Sequence, residues 1–122
     1  MPMPARRDSL KDRLSRSSEI TINVIGRKSG RRISNPVWFV LEGEKLYLLP
    51  VHGSDTQWYK NVLKNPKVRI AADGAEGEFE LTPTDDTENV ESVVEKFRGK
   101  YGAKDVKKYY SKFDVAVSTP IH

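Results

Sequence analysis

The 122-residue chain has no cysteine and only two histidines. Without cysteine there is no disulfide, no thiolate zinc site and no cysteine nucleophile, and the composition suits a reducing, cytoplasmic location. No apolar run approaches the roughly 18 residues of a membrane-spanning helix, so no membrane span is expected. The opening MPMPARRDSLKDRLSRSSE lacks the apolar stretch of a secretory signal. Residues 1–18 are expected to form a basic tail or a short helix with Leu10 and Leu14 on one face. There is no internal repeat, no GxGxxG after a strand and no Walker-type phosphate loop.

Histidine scarcity excludes more. His122 is the last residue and is expected to be disordered. His52 alone falls short of the three or four ligands of a metal site, so no metal is expected. His52, Ser54 and Asp55 include triad residue types, but neighbours in one turn rarely reach triad geometry. Asp85 and Asp86 suit the positive end of a helix. Glu76, Glu78 and Glu80 alternate along a strand and should face solvent. If the protein is an enzyme, a cofactor must carry the chemistry.

Hydrophobic residues make up 37% and charged residues 31%, a globular balance, and the length fits one domain, placed at residues 19–119. The net charge of +4 favours anionic partners. EITINVI (19–25), SNPVWFVLE (34–42) and KLYLLPV (45–51) read as three strands of a meander. Pro36 cannot donate to a ladder and belongs near a strand start or on an edge. KVRIAA (67–72), EFELTPT (78–84) and FDVAVS (113–118) add three more. TQWYKNVLKN predicts a helix capped by Ser54 or Asp55, stopped before Pro66, with Trp58, Val62 and Leu63 inward. Val90, Val93, Val94, Phe97 and Tyr101 predict a second helix that starts near Asp85 and ends at Gly102; AKDVKKYYSK predicts a short basic third. The expectation is a mainly β, α+β chain: a small antiparallel barrel of about six strands with two to four helices.

The connection GRKSGRR (26–32) holds two glycines, a serine and four cations. Glycine-bracketed backbone lets N–H groups approach an anion. Arg27 can chelate phosphate, Lys28 adds a point charge and Ser29 a hydroxyl. A solvated hairpin turn explains the same residues. The start of the WYKN helix also offers N–H groups to an anion, and its Trp58 serves equally as core. Tyr109 and Tyr110 lie among Lys107, Lys108 and Lys112. Nucleic acid is not the expected partner, because two tyrosines on a short helix more often pack.

In order and spacing, GRKSGRRISNPVWFVLEGEKLYLL, WYKNVLKNPKVRI, the acidic-started helix and the last strand resemble the deazaflavin-dependent nitroreductase family. That family belongs to the flavin/deazaflavin oxidoreductases of the FMN-binding split-barrel type. The resemblance implies a split β-barrel that binds coenzyme F-420 or, as second choice, FMN. It implies hydride transfer to a small-molecule electrophile such as an activated alkene, quinone or nitro compound, and a possible homodimer. It assigns cofactor contacts to Arg27, Lys28, Ser29, Gly30, Pro36, His52, Gly53, Ser54, Trp58, Tyr59 and Asn61, and the substrate side to Tyr109 and Tyr110 as catalytic candidates. The chain departs from the pattern at VHGS, where His52 stands in place of a lysine, and in a shorter loop before Trp58. The alternative is a non-catalytic split-barrel module that holds flavin, haem or lipid.

Overall fold

A computed structural model describes residues 10–121, with side chains from Arg13 onward; His122 and the start of the basic segment lie outside it. Eight strands form two four-stranded antiparallel sheets, and no ladder among the described residues closes them into one barrel. The first sheet has the order β2-β1-β5-β6, from Ile20–Ile25 (β1), Arg32–Val37 (β2), Lys67–Ala72 (β5) and Ala75–Glu80 (β6). The second has the order β3-β4-β8-β7, from Phe39–Glu42 (β3), Lys45–Leu48 (β4), Thr82–Thr84 (β7) and Ala116–Pro120 (β8).

The eight strands replace the expected six because two predicted strands each divide between the sheets. SNPVWFVLE breaks at Trp38: β2 pairs with β1, Thr21 opposite Pro36, while β3 pairs with β4, Phe39 opposite Leu48. The three-strand meander therefore does not form. EFELTPT breaks at Leu81 in the same way, and its first strand begins earlier, at Ala75, after a tight Asp73-Gly74 turn. Both breaks carry the chain across the core, and Leu81 is 2% exposed. The last strand starts three residues later than FDVAVS, at Ala116. Pro36 sits on an edge strand, where its missing N–H costs no ladder bond.

The main core lies between the sheets. Ile20, Ile22 and Val24 of β1 meet Leu46 and Leu48 of β4 and Val68 and Ile70 of β5. Helix α1 (Leu10–Arg16) adds Leu14, 1% exposed, to this core. A second cluster joins Val90, Val94 and Phe97 of α3 (Thr87–Tyr101) to Val106 of α4 (Ala103–Tyr109) and Ala116 of β8. On β8, Ala116 faces that cluster and Val117 faces the first, so this strand is covered on both sides.

Helix α3 is capped by Asp86, whose carboxylate accepts from the Asn89 N–H at 3.0 Å. Helix α2 (Gln57–Lys64) follows a short 3₁₀ turn, Gly53–Asp55, and starts after Thr56, not at the expected Ser54 or Asp55. Its inner face is Trp58, Tyr59, Asn61 and Val62, whereas Leu63 is 56% exposed. Among the described residues no helix is long and apolar enough to cross a membrane.

Candidate functional site

The basic turn is tightly closed. The Gly26 N–H donates to the Arg31 carbonyl at 2.7 Å and the Gly30 N–H to the Gly26 carbonyl at 2.9 Å. Gly30 has φ +71°, a conformation that favours glycine. Arg27 folds back onto α2. Its backbone N–H and Nη1 both donate to Asn61 Oδ1, at 3.0 and 2.8 Å, and Nη2 donates to Gln57 Oε1 at 2.9 Å. Lys64 Nζ donates to the Arg27 carbonyl at 3.1 Å. Both acceptors of the guanidinium are neutral amides, so its position is fixed while its charge is not cancelled. Lys28, Arg31 and Arg32 are exposed around it. A groove of about 380 Å³ lies between residues 26–29, Ile33, Gln57 and Asn61.

At the other end of β2, a groove of about 250 Å³ is lined by Glu19, Pro36, Val37, Trp38, Val51 and Tyr109. Ile33 and Val37 are an even number of residues apart, hence on one face of β2, roughly 13 Å from each other. The two grooves thus share that face. Trp38 stacks on Tyr101, with ring centroids 4.2 Å apart and planes 9° apart, and meets Tyr109 edge-on at 5.5 Å. Tyr109 is 52% exposed. Tyr110 is buried beside Phe97, and burial, reinforced by Tyr101, pushes its hydroxyl pKa well above the ordinary tyrosine value.

The 52–55 segment is tied to residues 111–114 rather than to the basic turn. The Ser54 N–H donates to Asp114 Oδ1 at 2.9 Å and its hydroxyl to Oδ2 at 2.5 Å. The Ser54 N–H is therefore taken by a carboxylate, which would repel the anion expected there. Gly53 has φ +56°, and a Cβ at this position would collide with Asp114. His52 Nδ1 lies 2.8 Å from Ser111 Oγ. Lys112 Nζ bridges Asp55 at 3.2 Å and Asp114 at 3.6 Å. Partial burial tends to raise the Asp114 carboxyl pKa, but the Ser54 hydrogen bonds and Lys112 outweigh it and hold the group below the usual carboxylate range.

The candidate residues accordingly fall into separate places. Arg27, Lys28, Ser29 and Asn61 share the cationic groove, with Gly30 closing its turn. Pro36 and Tyr109 share the aromatic groove. Ser54 and Tyr59 line a third, acidic one, with His52 and Gly53 on the neighbouring 111–114 contact. Trp58 and Tyr110 are core residues. Gln57 was not among the candidates, although its i,i+4 spacing to Asn61 places both on one helix face. Trp38 and Val51 had no such signal, since each reads as strand interior.

Solved structures share this architecture. An F-420-H2-dependent reductase (FDR-A) superposes with a TM-score of 0.65 at 19% identity, over 84% of this chain and 93% of that one. A chain solved as a domain-swapped dimer gives 0.65 at 20% identity, over 84% and 79%. HutZ, the heme storage protein from Vibrio cholerae, gives 0.69 at 15% identity, over 93% and 87%. At these identities the likeness is one of fold, the split-barrel type. No curated protein matches the chain. A family profile described as "Uncharacterized protein conserved in bacteria (DUF2255)" matches residues 11–118, so the chain belongs to that bacterial family.

Proposed function

We propose that the protein is a deazaflavin- or flavin-dependent oxidoreductase, with F-420 as the first-choice cofactor and FMN as the second. The observation that carries this reading is the groove where the GRKSG turn closes on α2. The residues present fit a phosphate-bearing group: an uncancelled Arg27 guanidinium held by Asn61 and Gln57, with exposed Lys28 beside it. The aromatic groove on the same face of β2 fits a planar ring, with Trp38 and Tyr109 as walls.

When bound, the reduced ring supplies a hydride to an electrophile such as an activated alkene, quinone or nitro compound. Lys28 and the fixed Arg27 hold the anionic end and so set the position of the ring end. Trp38 and Val51 exclude water from one side. In this reading Tyr109, exposed on the wall of the groove, gives a proton to the reduced acceptor. Tyr110, buried and with its hydroxyl pKa raised, is a packing residue in this reading. A homodimer fits the uncovered edge strand β2.

The alternative, a non-catalytic carrier, draws on the fold shared with the heme storage protein. Titration with F-420 and with FMN, followed by tryptophan fluorescence, tests the reading because Trp38 lines the groove. Saturable quenching by either one, then oxidation of the reduced cofactor by an acceptor, is the expected result. Binding without turnover against any acceptor would favour the carrier, and failure of both cofactors to bind would remove the reading.

A further inference from the structure

Helix α3 packs on β3 and β8 of the second sheet, where Val90, Val94 and Phe97 cluster with Val40 and Ala116. Beside that cluster, Tyr47, Ser118 and Thr82 stand opposite one another on β4, β8 and β7. Directly opposed residues share a face of the sheet. Tyr47 packs against the α3 cluster, so this row lies on the helix side. Asn89, Ser92 and Lys96 recur at helical spacing and form the facing stripe of α3. Lys96 Nζ lies 5.4 Å from the centre of the Tyr47 ring. Between the row and the stripe runs a groove of about 380 Å³, with Val93 and Ala116 as its apolar lining and Pro83 and Thr84 of β7 as a further wall.

The charge of this groove has one sign. Among the described residues no carboxylate lines it, whereas Lys45 does. Glu42 lies directly across the ladder from Lys45, yet it pairs with Lys96 at 3.0 Å. Lys45 Nζ stands over the Tyr47 ring instead, 5.7 Å from its centre. Two ammonium groups therefore flank one ring, and the carboxylate beside them is bound to Lys96. Like charges this near repel, and an anion drawn in beside Lys45 offsets that repulsion. The rest of the polar lining is neutral: the hydroxyls of Thr82, Thr84, Ser92 and Ser118 and the Asn89 amide. Such groups can both donate and accept.

We infer that this groove is a ligand site for a small hydroxylated anion of sugar size, carrying a carboxylate or a phosphate. Lys45 takes the anionic group. The serine, threonine and asparagine side chains take the ligand's hydroxyls, and Tyr47 and Val93 receive its C–H face. The volume falls within the range of small-molecule sites. A lining without carboxylates selects against cations, and its density of hydroxyls selects against a wholly apolar ligand. The inference does not rest on the oxidoreductase reading, because this groove shares no residue with the cationic or the aromatic one.

The test is a titration of the full chain with glucose 6-phosphate and with glucuronate, followed by amide chemical shifts. Glucose and inorganic phosphate at matched ionic strength are the controls. Saturable shifts at Ser92, Val93 and Ser118 are expected for at least one sugar anion, and the tighter of the two identifies the anionic group. Each control should bind at least about tenfold more weakly. Lys45→Gln should weaken the sugar anion by about tenfold; Lys45 is exposed, so this variant keeps the fold. Ser118→Ala should weaken it a few-fold. Glucose binding as tightly as the sugar anions, unchanged affinity in Lys45→Gln, shifts confined to residues 26–32, or no saturable shift in this groove would each overturn the inference. F-420 and FMN binding is measured separately and is untouched by any of these results.

Discussion

The side-chain oxygen of Asn61 accepts two hydrogen bonds from Arg27, one from its backbone N–H and one from its guanidinium. Asn61 is 5% exposed, so one buried amide fixes both the course of the basic turn and the direction of its first cation. Two substitutions separate these roles. Asn61→Ala removes both contacts and should cost about 1–3 kcal/mol of stability, read by chemical denaturation. Asn61→Asp keeps the acceptor but places a carboxylate against Arg27. It should hold the fold while lowering affinity for a phosphate-bearing cofactor by about tenfold. Undiminished cofactor affinity in Asn61→Asp would mean that the Arg27 charge is not part of the site.

Lys28 offers the complementary test, because it is exposed and lines the same groove. Lys28→Ala should leave the thermal midpoint within about 1 °C, as surface changes away from special features do. Cofactor affinity should fall by about five- to tenfold, and its salt dependence should flatten as one cation is lost. A variant with parental affinity and an unaltered salt slope would return GRKSGRR to an ordinary solvated turn.

Strand β5 was readable because its alternation of exposed and buried residues runs unbroken from Lys67 to Ala72. β1 was readable for the same reason. The crossings at Trp38 and Leu81 were not, because a strand-like pattern continues through each break, an apolar run from Val37 to Leu41 and an alternation from Glu78 to Thr82, while the partner strand changes. Pairing with a different sheet is a tertiary choice that no local pattern encodes. The cap of α2 was ambiguous locally: Ser54, Asp55 and Thr56 are all suitable types, and the contact of Ser54 with Asp114 decides against the first. That contact joins residues 60 apart in the chain. The basic turn was legible as a glycine-bracketed, four-cation connection, but its engagement by Gln57 and Asn61 needed the fold. Adjacent tyrosines near the end of α4 looked alike in sequence, and only packing distinguishes the exposed Tyr109 from the buried Tyr110.

Asp114 makes an acid-range prediction. Its folded carboxyl sits below the ordinary value, so it gains protons less readily folded than unfolded. Its contribution to stability is then present above the unfolded carboxylate pKa and is lost as pH falls through the depressed folded value. Denaturation midpoints measured from neutral pH down to about pH 3 should decline in the parent chain more steeply than in Asp114→Asn. Parallel profiles for the two proteins would show that the Ser54 and Lys112 contacts do not stabilise the ionised form.

The end of α3 pins the crossing from the first sheet to the second. The Tyr101 hydroxyl accepts from the Phe39 N–H at 3.1 Å and is within hydrogen-bond distance of the carbonyls of Phe39, at 2.9 Å, and Ser18, at 2.8 Å. Lys100 Nζ donates to the same Phe39 carbonyl at 2.9 Å. Phe39 itself is fully buried, so its N–H has no easy access to water. Tyr101→Phe keeps the ring that stacks on Trp38 but leaves that N–H without its acceptor. The expected cost is about 1–3 kcal/mol, with the tryptophan emission maximum unchanged because the stack survives. Lys100 continues to satisfy the Phe39 carbonyl in the variant, so the loss isolates the N–H contact and the link to Ser18. Tyr101→Ala should cost more and shift the emission, since it also removes the stacked ring and opens a cavity beside Phe97. A loss below about 0.5 kcal/mol in Tyr101→Phe would mean that water replaces the hydroxyl, and that ring packing alone fixes the position of Trp38 at the aromatic groove.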